Sequence, residues 1–222
     1  MSSLTKRDVF VTGATGYLGR PLIERLLERG HGVRALVRPA STSKLPANVE
    51  PVVGDALAPA TYAPRVRRGD VFVHLVGVAH PSPAKAAEFK SIDLASIVAA
   101  TEAALKAGAS RFVYVSVAQP APVMKDYIDV RAAGEAAVRA TGIPASILRP
   151  WYVLGPGHRW PYLLLPFYGA AWLFPGSRPS ARRLGLIRRP TMIRALVRCV
   201  ESERPGVEIL DVPALRAAGR DD

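Results

Sequence analysis

Val9-Phe10-Val11-Thr12-Gly13-Ala14-Thr15-Gly16-Tyr17-Leu18-Gly19 runs a short apolar segment straight into glycines spaced three apart. Beyond it Leu18, Leu22, Ile23, Leu26 and Leu27 recur at helical spacing, Gly30 stands where a helix would stop, and Val33, Ala35 and Val37 alternate as in a strand. A strand, turn, helix and strand in this order can cradle a dinucleotide. Gly13 permits the tight turn, Gly16 lets the backbone approach a pyrophosphate, and Gly19 lets the helix pack close to the sheet. The unpaired amides and positive dipole end of the first helical turn then face the phosphates, which makes Thr15, Tyr17 and Leu18 expected cofactor contacts beside the glycines. An ordinary glycine-rich turn without a ligand is the alternative, and the flanking pattern favours the dinucleotide.

The 222 residues suffice for one well-buried core with at most a small extension. Cys199 is the one cysteine, so no intrachain disulfide framework is possible; with no basic-then-apolar leader and no long uncharged apolar span, the expectation is a soluble protein of a reducing cytoplasm. Segment 178–204 holds eight arginines against Glu201 and Glu203, half of the formal net charge of +12. Neither zinc-finger spacing nor an RNA-binding aromatic signature accompanies them, so a solvated basic face is expected and specific nucleic-acid binding is not. The same charge, next to a Trp/Tyr-rich segment, is compatible with peripheral contact to an anionic membrane.

Alternation of strands and helices continues along the chain. After a polar stretch from Pro39 to Pro46, Val49 to Asp55 reads as a third strand and Tyr62 to Val66 as a helix-compatible stretch. Asp70 to Gly77 reads as a fourth strand, nearly continuously apolar, as strands covered on both faces are. An Ala-rich helical run from Pro83 to Ala107 carries Phe89, Ile92, Ser96 and Ala99 on one face and stops at Gly108. Arg111 to Ser116 is a fifth strand, Asp126 to Ala140 a helix, and Ala145 to Leu148 a sixth strand. This order implies an α/β fold: a doubly wound, Rossmann-like parallel sheet with helices on both faces, over residues 1–157. Residues 158–222 are expected to form a small C-terminal substrate or cap region on the same domain. There the apolar segment Trp160 to Phe174 is broken by Pro161 and Pro166, Pro190-Thr191 starts a helix, and Val207 to Val212 alternates as a strand.

Thr12-Gly13-x-x-Gly16-x-x-Gly19, Gly54-Asp55, Tyr114-Val115-Ser116, Tyr127-x-x-x-Arg131 and Leu148-Arg149-Pro150-x-x-x-Leu154-Gly155-Pro156-Gly157 occur in this order. Together they resemble an atypical short-chain dehydrogenase/reductase of the NAD(P)-binding, epimerase-like or NmrA-like kind. The resemblance implies that Asp55 and Ala56 lie at the adenine edge, that Val76, Gly77 and Val78 lie beneath the adenosine ribose, and that Pro150, Trp151, Tyr152 and Val153 approach the nicotinamide. It also implies that Tyr127 exchanges a proton with a carbonyl or hydroxyl and that Ser116 orients the substrate. Arg131 stands where the family has a lysine on the nicotinamide ribose. Arginine keeps the positive charge and the hydrogen bonds, but its planar fork occupies different space. Asp93 stands where the family's helix asparagine is expected, a second departure.

At the end of the second strand, NAD-selective sites place an acid and NADP-selective sites a cation. Here stands Arg38, with Ser41, Ser43 and Lys44 just downstream and no carboxylate, which favours NADP while leaving NAD possible. His74 and His80 lack a partner cluster, so no metal is expected. Two functions remain open: an NADP-dependent oxidoreductase or epimerase-like enzyme acting on a small apolar carbonyl or alcohol, or a non-catalytic NAD(P)-binding redox sensor or assembly factor. The runs 84–107 and 126–140 correspond to helices that commonly form dimer faces in the family, which makes a homodimer possible.

Overall fold

The structure, a computed structural model, describes residues 5–78, 81–121, 123–157 and 178–220. Seven parallel strands form one sheet: β1 (Asp8–Thr12), β2 (Gly32–Val37), β3 (Glu50–Val53), β4 (Val71–His74), β5 (Arg111–Val115), β6 (Ala145–Leu148) and, last in the chain, β9 (Val207–Leu210). Their spatial order is β3-β2-β1-β4-β5-β6-β9. The order reverses between β1 and β4, the switch point at which such sheets open a crevice beyond the carboxyl ends of their strands. Two further short strands, β7 (Tyr152–Leu154) and β8 (Leu186–Arg188), pair with each other in parallel.

Helices α1 (Gly19–Glu28) and α5 (Arg189–Glu201) cover one face, where Leu22, Ile23 and Leu26 meet Met192, Leu196 and Val200 over Val9, Val11 and Val73. Helices α2 (Ala95–Ala107) and α3 (Lys125–Ala140) lie on the other, over Phe10, Phe72, Phe112 and Ile147. Two short helices, α4 (Arg178–Arg183) and α6 (Val212–Ala218), lie in the C-terminal part. Because β9 pairs with β6 and α5 packs against α1, these C-terminal residues extend the main sheet and its core. Segment 160–174 lies outside the described residues, as does His80.

Three local expectations change. β2 does not alternate: Val33 through Val37 are all buried, because helices cover both faces of a central strand. Tyr62–Val66 is not an α-helix; two 3-10 turns, Pro59–Thr61 and Ala63–Arg65, stand there, each begun by or containing a proline that has no N–H to carry a helical ladder. The run from Pro83 to Ala107 is not one helix. A 3-10 turn and a single α-turn lead into a π-helical segment, Phe89–Leu94, and regular α-helix begins only at Ala95. The wider π turn changes which side chain faces inward, so Asp93 is buried while Ile92 is only half-buried.

Candidate functional site

A cavity of about 590 Å³ opens at the carboxyl ends of β1, β4, β5 and β6, within the usual range for small-molecule and cofactor pockets. Gly13, Gly16, Tyr17, Leu18 and Gly19 form one wall. Gly13 takes φ +75°, and a Cβ there would lie 2.7 Å from the Leu75 carbonyl carbon, so the turn needs glycine for both its conformation and its closeness to the exit of β4. A Cβ on Gly19 would overlap the Gly13 carbonyl oxygen and approach the Ala14 oxygen to 2.7 Å. The start of α1 is thereby held against the turn, with the positive dipole end of the helix beside the cavity.

Val76, Gly77 and Val78 form the floor, and Pro150, Trp151, Tyr152 and Val153 the opposite wall. Ser116, Tyr127 and Arg131 line the same space. Thr15, Arg38, Asp55 and Ala56 do not line it. Thr15 and Arg38 are exposed. The Asp55 carboxylate accepts the Leu57 N–H at 3.0 Å, closing its own turn, and Ala56 packs towards the aromatic core.

Arg131 is 6% exposed and held on three sides. One terminal nitrogen forms an ion pair with Asp93, the other donates to the Val115 carbonyl at 3.0 Å, and its guanidinium carbon stands 5.1 Å from the Tyr127 ring centroid. Asp93 also accepts the Val78 N–H at 3.0 Å, so this carboxylate ties the cation to the loop leaving β4. Burial pushes the Asp93 carboxyl up from its ordinary value, against the pull of Arg131 and the Val78 amide. The two departures from the family pattern, Arg131 and Asp93, are thus the two halves of one buried pair. Arg131 Nε is buried without an acceptor among the described residues. The glycine cradle opposite, which a Cβ at Gly13 or Gly19 would close against backbone, together with the Arg131 cation on the same cavity, fits a dinucleotide with its anionic phosphates.

Ser116 leads to Glu135, which sequence reasoning missed. Its hydroxyl donates to Glu135 Oε1 at 2.7 Å. Glu135 is 1% exposed and also accepts from Gln119 Nε2 at 2.7 Å, from Arg139 at 3.0 Å and from both arms of Arg149 at 2.8 and 2.5 Å. Burial alone would raise this carboxyl; the Arg149 and Ser116 hydrogen bonds outweigh it and hold the group below the usual carboxylate range. The signal was present, since Tyr127, Arg131 and Glu135 recur every four residues along one face of α3.

Beneath the floor, His74 is buried between Thr12 Oγ1, 2.9 Å from Nδ1, and Ser96 Oγ, 3.4 Å from Nε2. Ser96 donates to the Asp93 carbonyl at 3.1 Å, so it accepts from Nε2–H, and Nδ1 accepts from Thr12: a neutral imidazole satisfies the chain. Burial, helped by the Arg131 charge, lowers the His74 pKa from 6.5 to about 3. The folded state therefore binds this proton more weakly than the unfolded chain. The stability from neutral His74 is whole above pH 6.5 and falls away as pH drops towards 3, a loss of about 2 kcal/mol by pH 5. Urea denaturation at pH 7 and pH 5 should show this loss, and His74→Gln should flatten it.

Comparison with known proteins agrees with this geometry. A family model described as NAD(P)H-binding matches residues 13–158. The chain is 36% identical over 159 residues to a ceramide reductase of Caulobacter vibrioides (strain NA1000 / CB15N), covering 71% of this chain and 50% of that protein. It is 34% identical over 178 residues to a 3-diazoavenalumate denitrifying reductase of Streptomyces sp., covering 67% and 57%. The chain thus spans about half the length of the curated relatives it matches. In fold it is similar to the Bordetella bronchiseptica enzyme WbmH solved in complex with NAD+, with a TM-score of 0.69 at 21% identity over 93% of this chain and 76% of that one. With the strand order, the glycine turn and the match over residues 13–158 in agreement, the chain belongs to the NAD(P)H-binding family.

Proposed function

We propose that the protein is an NADP-dependent oxidoreductase, or an epimerase-like enzyme, acting on the carbonyl or alcohol of a small apolar molecule. The observation that carries this reading is that Tyr127, Ser116 and Arg131 line one cavity together with the glycine turn. The bound nicotinamide supplies or takes the hydride; the side chains manage the oxygen and its proton. Tyr127 gives a proton to a carbonyl oxygen, or takes one from a hydroxyl, beside the Arg131 cation. Because the Ser116 hydrogen is committed to ionised Glu135, its oxygen meets the substrate as an acceptor and holds a hydroxyl in place.

Exposed Arg38 at the end of β2, with no acid beside it in sequence, supports NADP over NAD. Trp151 and Tyr152, edge to face with ring centroids 5.4 Å apart, give the opposite wall an apolar surface, and one relative is named for ceramide, a lipid. The test is NADPH oxidation against a panel of small and long-chain apolar ketones and aldehydes, with the reverse reaction on the corresponding alcohols and on ceramide. A member of the panel should turn over, and Tyr127→Phe should lower kcat by about 100-fold or more while leaving NADPH affinity nearly unchanged. Turnover unchanged in Tyr127→Phe removes the assigned role. Saturable NADPH binding without hydride exchange across the panel favours a sensor or assembly protein instead.

A further inference from the structure

Tyr17 joins the two walls of the cavity. Half-buried where the glycine turn ends, it reaches across to β7 on the opposite wall, and its hydroxyl donates to the Val153 carbonyl at 3.4 Å. The approach depends on Gly155 having no side chain, since a Cβ there would lie 2.5 Å from the Tyr17 hydroxyl oxygen and 3.1 Å from the Arg189 Cβ. Over the Tyr17 ring stands Arg189, its guanidinium carbon 5.1 Å from the ring centroid. Three segments distant in sequence thus meet at one ring.

Arg189 opens α5, and because α5 packs against α1, its first residue comes to lie beside the turn from which α1 starts. A cation in that position is opposed by the positive end of the helix dipole, and α5 carries no acidic residue in its first turn to offset it. Nor does Arg189 pair with a carboxylate or donate a hydrogen bond among the described residues; the Tyr17 ring is its partner there. The side chain is half-buried, so the contact is partly shielded from water and strengthened accordingly.

We propose that Arg189 is a positioning residue for nucleotide binding: by holding the Tyr17 ring it keeps the glycine turn closed against β7 and slows release of the nucleotide. The proposal rests on the reading that the cavity holds a dinucleotide, between the two walls that Tyr17 joins. Tyr17 and Val153 line the cavity and Arg189 does not, so the effect of Arg189 passes through the ring and not through contact with a phosphate. Nucleotide leaves when Tyr17 comes away from Val153 and Gly155, and whatever holds the ring in place raises that barrier.

Stopped-flow displacement of NADPH by excess NADP+, followed by nicotinamide fluorescence on the full chain, tests this. Arg189→Met keeps much of the side chain's length and removes its charge; NADPH should then leave about fivefold faster, with its association rate nearly unchanged. Gly155→Ala pushes the Tyr17 hydroxyl away without altering any charge and should also accelerate release. In a Tyr17→Ala background, Arg189→Met should add nothing, because the ring it holds is gone. Release unchanged in Arg189→Met or in Gly155→Ala overturns the proposal. So does an equal acceleration by Arg189→Met in the Tyr17→Ala background, which would make Arg189 a direct contact of the phosphates. Absence of NADPH binding by the parent protein overturns the reading of the cavity itself, and the positioning role with it.

Discussion

Asp93→Asn is expected to lower folding stability by about 3–5 kcal/mol, the usual cost of removing one partner from a buried ion pair. Asparagine is the residue that the family resemblance leads one to expect at this position, yet here it would leave Arg131 as an uncompensated charge at 6% exposure. The Val78 amide can still find the asparagine oxygen, so the loss falls on the cation and not on the loop. Urea denaturation at pH 7 reads the effect. Adding Arg131→Leu to Asp93→Asn should recover much of the lost stability, because the pair is then removed together. A loss below about 1 kcal/mol in the single variant would mean that Arg131 is charged but solvated, contrary to the geometry described above.

Gly19→Ala is expected to be nearly as severe and to act on ligand binding as well. The added methyl meets only backbone, the Gly13 and Ala14 carbonyls, neither of which can rotate away. The start of α1 must back off from the turn, at a cost of about 3 kcal/mol in stability, the upper end of ordinary overpacking. The same displacement moves the amino end of α1 away from the turn that would hold the phosphates and should weaken dinucleotide binding by about tenfold or more. Thermal unfolding and fluorescence titration with NADPH check the two parts separately. Gly30→Ala is a useful contrast: nothing lies within 4 Å of its added Cβ, so it should show only the strain of a positive φ, +81°.

What was legible in the sequence was local. The glycine spacing, the stop at Gly108 (φ +72°) and the apolar runs of β1 and β4 to β6 are patterns of a few residues, and the structure places elements there. Features that depend on contacts between distant segments were not legible. The π-helical turn at Phe89–Leu94 faces Asp93 inward towards Arg131, 38 residues later, and helical periodicity has no term for such a partner. β9 joins β6 across 62 residues, so nothing in Val207 to Leu210 announces that it belongs to the main sheet. Asp55 sits in the motif but closes its own turn, because an exposed Asx turn and a ligand contact read alike in sequence. Glu135 could have been found from its four-residue spacing to Arg131. The burial of Arg131 Nε without a partner among the described residues could not, since a missing partner shows only in three dimensions.

Isothermal titration of the pure, folded chain with NADPH and NADH tests the central claim most directly, namely that the turn from Gly13 to Gly19 holds a dinucleotide by its backbone. One nucleotide per chain is predicted, with NADPH bound more tightly than NADH. The absence of heat with either nucleotide, reduced or oxidised, would contradict it.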